Sequence, residues 1–172
     1  MPAQAVHEVM IELAAEGLVE PVGDGSFRIS APTAAELREM IELRLLVEIP
    51  AVRKVTEQGV SDSELAALER LAAATMAPAR DGDILGYINA DLAFHLYLLE
   101  LAGNRQLVEV VRVLRSRSRL HGLRDSDFAR FVRLNAREHL ELVDLLADGR
   151  ASAVNDLLRR HLSAITAGWP AS

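Results

Sequence analysis

The chain has 172 residues, 50% of them hydrophobic and 26% charged, with a formal net charge of −6 and no cysteine. That length suits one domain of ordinary size plus a small appendage, and the composition excludes a disordered tail. Without cysteine there is no disulfide scaffold, zinc ribbon, iron–sulfur site or thiol nucleophile, and the acidity speaks against a general polyanion binder.

Only 4% of the residues are aromatic while Leu and Ala abound, a mix that favours helices packed by aliphatic side chains. Val6, Val9, Met10 and Leu13 recur at helical spacing, and Gly17 closes that helix. Two β-like stretches follow, around residues 18–20 and 26–29, separated by the turn-forming Gly23-Asp24-Gly25. Beyond them every expected element is helical. Thr33 and Glu36 form a capping box that opens a helix to about Gln58, kinked at Pro50 and stopped by Gly59. Ser61 and Glu64 open a second, to about Ala77, and Asp81 or Asp83 caps a third, ending near Gly103-Asn104. A fourth runs from about Arg105 to His121, a fifth from Ser126 or Asp127 to Gly149, and a sixth from about Ala151 to Ala167. Connections of a few residues make successive helices antiparallel neighbours. The expected fold is therefore all-α: an antiparallel six-helix bundle over residues 32–172, preceded by one helix and a β-hairpin over residues 1–31. No apolar run approaches the roughly 20 residues needed to span a bilayer, and the N-terminus lacks the basic start and apolar core of a secretory signal. The expected setting is soluble and cytoplasmic, with no membrane partner.

Polar residues interrupt three of the apolar stripes. In the third bundle helix, Asp91 and His95 fall within the stripe of Ile84, Tyr87, Ile88, Leu98 and Ala102, and their spacing of four places them on one face. A carboxylate facing a core is costly unless it is paired or ligated. In the fifth, Asn135 and His139 lie among Phe128, Phe131, Val132, Leu142, Val143 and Leu146, and in the sixth His161 lies among Val154, Leu157, Leu158 and Ile165. If the three helices surround one cavity, Asp91, His95, His139 and His161 converge there. Neutral imidazole and carboxylate donors suit a divalent metal, Zn²⁺ first, then Ni²⁺, Fe²⁺ or Mn²⁺. An octahedral arrangement would leave two positions open and a tetrahedral one none; the sequence is compatible with both. The competing reading makes each histidine a hydrogen-bonded core residue. His121, at the end of the stripe of Leu107, Val111, Leu114 and Ser118, and His7, expected at the surface, stay outside the metal set.

At this point the pattern resembles the C-terminal ligand-sensing (FCD) domain of the FadR branch of GntR-type transcriptional regulators. The matching features are Arg44 and Glu48 in RLLVEIPAV, Asp91-x-x-x-His95, LAGNRQL at 101–107, Glu138-His139, LLADGRASAV and His161. Residues 6–31 resemble the recognition helix and wing of the same family's winged helix–turn–helix, without the two helices that usually precede them. The chain is then expected to be a truncation, a mis-started reading frame or a natural remnant.

The resemblance implies a homodimeric, non-enzymatic regulator whose metal, held by the Asp and three His, fixes a small carboxylate metabolite and so controls DNA binding. Arg44 is the candidate second anchor for that carboxylate, because a guanidinium matches its geometry. The alternative for Arg44 is an i,i+4 pair with Glu48, worth a few tenths of a kcal/mol. Asn135, one turn before His139, is a candidate effector contact or ligand-orienting residue. The DNA side departs from the family. Residues 1–31 carry Arg28 against Glu8, Glu12, Glu16, Glu20 and Asp24, which speaks against operator DNA binding by this chain as it stands. Two other classes compete: a metalloenzyme acting on a small organic acid or ester, and a metal-free helical interaction module. A di-iron carboxylate enzyme would need Glu-x-x-His, and Leu92, Ala136 and Leu158 stand three before the histidines instead.

Overall fold

Thirteen residues, Ala3–Ala15, form α1. Gly17 follows in the left-handed region at φ 72°, and a hairpin pairs β1 (Val19–Val22) with β2 (Ser26–Ile29) in antiparallel register, Val19 opposite Ile29 and Val22 opposite Ser26. Gly25 adopts φ 83°, and the Asp24 side chain accepts from the Ser26 N–H at 2.9 Å, so the expected turn residues close the loop. The first strand begins one residue later and ends two residues later than the spacing suggests. The structure is a computed structural model that describes residues 3–122 and 128–167, with side chains over residues 4–119 and 131–166. The expected helix start at Ser126 or Asp127 lies outside the described residues, as do the side chains of His121 and Phe128.

Six helices make up the rest: α2 (Ala34–Gln58), α3 (Asp62–Asp81), α4 (Ile84–Glu100), α5 (Arg105–Gly122), α6 (Phe128–Ala147) and α7 (Ala151–Ala167). Both expected capping boxes form. The Thr33 hydroxyl accepts from the Glu36 N–H while Glu36 accepts from the Thr33 N–H, and Ser61 and Glu64 do the same. Helix α2 is continuous through Pro50. The carbonyl that Pro50 deprives of a donor belongs to Leu46, an exposed residue, so water can serve it. Helix α3 passes the expected end at Ala77 and includes Pro78. It stops at Gly82, which takes the left-handed conformation (φ 75°) and donates to the Pro78 carbonyl. Asp83, not Asp81, caps α4 through the Gly86 N–H.

Helix α2 packs on α7 and α5, α3 on α4 and α6, α4 on α5, and α6 on α7. The main core is aliphatic around one aromatic ring: Val52, Leu68, Leu98, Leu99, Val111, Leu142, Val154, Leu158 and Leu162 surround Phe94. A smaller apolar cluster of Ala79, Tyr87, Val132 and Ala136 closes the other end of the α3–α4–α6 interface. Between the two clusters the interior turns polar. In contrast to the bundle, α1 leaves Val6 and Val9 of its apolar stripe about half exposed. No helix among the described residues is long and apolar enough to cross a membrane.

Candidate metal centre and its cavity

Asp91 and His95 sit one turn apart on the buried face of α4, His139 on that of α6 and His161 on that of α7; all four are at most 4% exposed. One ligand atom from each lies within 4.8 Å of all the others. The His95 Nε2 is 3.1 Å from the His139 Nε2 and 3.0 Å from the His161 Nε2. The Asp91 Oδ1 is 3.2 Å from the His139 Nε2 and 3.7 Å from the His95 Nε2. The four residues that the stripes singled out are thus brought together. His7 is exposed against the Phe27 ring.

Two of the three imidazoles point bare nitrogens into the cluster. The His161 Nδ1 meets the Glu138 Oε2 at 2.9 Å, and a carboxylate there can only accept, so Nδ1 carries the proton and Nε2 is bare. The His139 Nδ1 meets the Thr75 hydroxyl at 3.3 Å; that hydroxyl donates to the Ala72 carbonyl, so it accepts from His139 and leaves that Nε2 bare as well. Burial holds all three imidazoles neutral. It lowers His95 well below its usual range, with help from Arg115, His139 to about 3 and His161 to about 4. Two bare nitrogens and a carboxylate oxygen therefore crowd one point where the protein has at most one N–H, on His95, to offer. A cation satisfies such a donor set, and hydrogen bonds alone do not. A regular tetrahedron with Zn–N near 2.1 Å would put every pair of donors about 3.4 Å apart. Four of the six donor separations, from 3.0 to 3.7 Å, lie on either side of that value. The Phe94 ring packs against His95 and His139, with centroids 5.1 and 4.7 Å away, and fixes their orientation from the core side.

The other Asp91 oxygen, Oδ2, faces a second polar group. It pairs with Arg119 and lies 3.5 Å from the Arg115 Nη1. Arg115 also donates to the Glu48 Oε2 at 2.6 Å, and the Arg44 Nε donates to the Glu48 Oε1 at 2.7 Å. The Tyr87 hydroxyl donates to the Asn135 Oδ1 at 2.9 Å and lies 3.3 Å from the Asp91 Oδ1. Burial works to raise the Glu48 carboxyl, but Arg115 and Arg44 overcome it and hold it below its ordinary value. Burial lowers Arg44 to about 10 and Arg119 to about 9, which leaves both cationic at neutral pH. Three guanidiniums thus share two carboxylates, one positive charge in excess. Among the described residues the Arg44 Nη2 and Arg115 Nε have no hydrogen-bond partner. These groups line a cavity of about 30 Å³ beside His161, together with Ile88, Phe131 and Ile165. Room for a few waters, an excess positive charge and unsatisfied N–H donors are the chemistry an anion would need.

Arg44 and Asn135, the expected effector contacts, both line this cavity. Arg115 and Arg119 escaped the sequence reading. Their signal was present: Arg115 continues the stripe of Leu107 and Val111 at a spacing of four, and Arg119 follows one turn later.

Residues 39–164 match the family model of the FCD domain. The Nta operon transcriptional regulator of Aminobacter aminovorans is a sequence relative, 26% identical over 164 residues, which cover 91% of this chain and 72% of that protein. A solved GntR transcriptional regulator from Rhodococcus sp. RHA1 is 25% identical with a TM-score of 0.80, and the match covers 98% of this chain and 80% of that one. E. coli McbR/YncC shares the fold at 19% identity, with a TM-score of 0.79 over 95% of this chain and 77% of that one.

Proposed function

The chain belongs to the FCD family, the ligand-binding domain of GntR-type regulators, and from that premise we propose that it is a metal-dependent sensor of a small carboxylate metabolite, of the FadR branch. Domains of this family are regulatory and not catalytic, so the metalloenzyme alternative falls away. In this reading residues 32–172 form the sensing domain, and residues 1–31, one helix and a hairpin, are the partial winged-helix element joined to it.

Asp91, His95, His139 and His161 are the proposed ligands of a divalent cation, Zn²⁺ first. The observation that supports this is the meeting of the His95 Nε2 with the His139 and His161 Nε2 atoms at 3.1 and 3.0 Å, and of the His139 Nε2 with the Asp91 Oδ1 at 3.2 Å, where at most one N–H, on His95, is present to bridge them. The bound cation supplies a Lewis-acidic centre to which a carboxylate oxygen can bind. The chain's own groups do the remaining work. Arg44, Arg115 and Arg119 attract and orient the anion, Asn135 offers its amide beside Tyr87, and Ile88, Phe131 and Ile165 exclude water from the apolar part of the effector. A cation of charge two added to the existing excess calls for an effector with more than one negative charge, a di- or tricarboxylate. The cavity of about 30 Å³ must widen to admit one, and an effector that favours the widened arrangement shifts the balance between conformations.

The proposed partner is a second copy of the chain. Leu43 and Leu46 on α2 and Val110 and Val113 on α5 are exposed on two helices that pack together, which supports a dimer face there. Operator DNA is the proposed partner of a regulator with a complete winged helix.

Elemental analysis tests the metal. Protein reloaded with Zn²⁺ and desalted should hold about one ion per chain, and His161→Ala should lose most of it. Reloaded wild-type protein without metal would remove the mechanism and leave a metal-free interaction module. Calorimetry with a panel of mono-, di- and tricarboxylates then tests the anion class, with Arg115→Ala weakening whichever one binds.

A further inference from the structure

The metal reading uses four side chains, yet the donors are not backed alike. His139 is held from behind by the neutral Thr75 hydroxyl, at 3.3 Å. His161 is held by a carboxylate, Glu138, at 2.9 Å. Glu138 is partly exposed, with 21% of its side-chain surface accessible, and its second oxygen accepts from the exposed Arg160 at 3.3 Å. The Arg160 contact turns Oε2 toward His161.

Neighbouring residues on a helix point about 100° apart. Glu138 therefore does not follow His139 inward. It reaches sideways from α6 to α7 and grips the ligand that α7 supplies. One helix thus provides both a donor and the holder of a second donor on its neighbour, which locks the α6–α7 register at the site. A charge argument points the same way. A divalent ion would add two positive charges to the one already in excess among the three guanidiniums, Asp91 and Glu48, and Glu48 is engaged by Arg44 and Arg115. Glu138 is the remaining carboxylate in contact with the ligand set among the described residues.

We propose that Glu138 is a positioning residue for the metal centre, holding His161 in the Nδ1–H tautomer through its carboxylate and raising cation affinity by doing so. The inference rests on the metal reading above. A carboxylate behind a ligating imidazole fixes ring and tautomer and makes the other nitrogen a stronger donor, and losing such a partner costs about 10–100-fold in metal affinity.

The test uses Glu138→Ala and Glu138→Gln in the full chain, with two measurements. In metal-free protein, nitrogen NMR of the histidine rings reports the tautomer. His161 should carry its proton on Nδ1 in the wild type and in Glu138→Gln, whose amide oxygen still accepts, and should shift toward Nε2–H in Glu138→Ala. Zn²⁺ titration against a competing chelator reports affinity. Glu138→Ala should bind about 10–100-fold more weakly, with Glu138→Gln in between. Wild-type affinity in Glu138→Ala overturns the proposal. So does an equal loss in both variants with the tautomer unchanged, because that is a distant charge effect. A wild type that binds no Zn²⁺ sinks the metal reading itself, while the tautomer measurement still decides whether Glu138 holds His161.

Discussion

Two ion pairs on α2 separate burial from geometry. Arg44–Glu48 and Arg53–Glu57 are both Arg-to-Glu at i,i+4, and each closes at 2.7 Å between Nε and Oε1. The first is at most 2% exposed by side chain and the second more than half exposed. Glu57→Gln should therefore cost at most about 0.5 kcal/mol, the usual worth of an exposed helical pair. Glu48→Gln removes the negative charge shared by two buried guanidiniums, Arg44 at 2.7 Å and Arg115 at 2.6 Å, and turns an amide N–H₂ toward one of them. Breaking a buried pair from one side costs about 3–5 kcal/mol, because the uncompensated charge stays behind. For a chain of this length that corresponds to a fall in Tm of about 6–20 °C. Urea denaturation of the three proteins at neutral pH measures the difference. Equal losses in the two variants would refute the claim that burial sets the energetics here.

Two more expectations concern the fold and its pH response. In metal-free protein the histidines titrate near 6.5 when unfolded, but burial lowers His139 to about 3 and His161 to about 4 when folded, with His95 lowered too. Their contribution is complete above pH 6.5 and is lost as pH falls from there toward 4, by up to about 1.4 kcal/mol per pH unit for each ring; denaturation midpoints that stay flat from pH 7 to 4.5 would contradict this. Thr33→Ala removes the hydroxyl that accepts from the Glu36 N–H at 3.2 Å and should cost about 1 kcal/mol by urea denaturation, as caps usually do.

The same α2 pairs show what a sequence can convey. Spacing put Arg44 beside Glu48 and Arg53 beside Glu57 equally well, because i,i+4 is a local property of a helix. What separates them is which stretch of α2 turns toward α5, a tertiary fact. For that reason the few tenths of a kcal/mol expected for an i,i+4 pair do not describe Arg44–Glu48, whose loss from one side strands a buried charge. The convergence of the buried Asp–His cluster was legible for the opposite reason. Asp91, His95, His139 and His161 occupy positions that helical periodicity reserves for apolar residues, so their burial followed from the pattern and their convergence from three stripes sharing one core. Arg115 broke the same rule on α5 and passed unseen, because a long basic side chain is so often found with its stem buried and its head in water. Helix ends were legible where a side chain makes the cap, as at Thr33 and Ser61. One was misplaced at Ala77: the helix runs on through Pro78, and the left-handed Gly82 ends it.

Asp91 is where the two halves of the site become one. Its Oδ1 faces the imidazole nitrogens at 3.2 and 3.7 Å, and its Oδ2 faces Arg115 and Arg119. A single carboxylate cannot satisfy both sides at full strength. A cation on the Oδ1 side draws negative charge away from the guanidiniums and leaves the cavity more positive, and an anion bound to those guanidiniums leaves Asp91 freer to serve the cation. If the proposed metal and anion both bind, each would strengthen the site of the other, and linkage would require the strengthening to be equal in both directions. The elements joined by this carboxylate are α4, which carries it, α5, which carries both arginines, and α2, reached through Arg115 and Glu48. The last two also carry the exposed apolar residues Leu43, Leu46, Val110 and Val113.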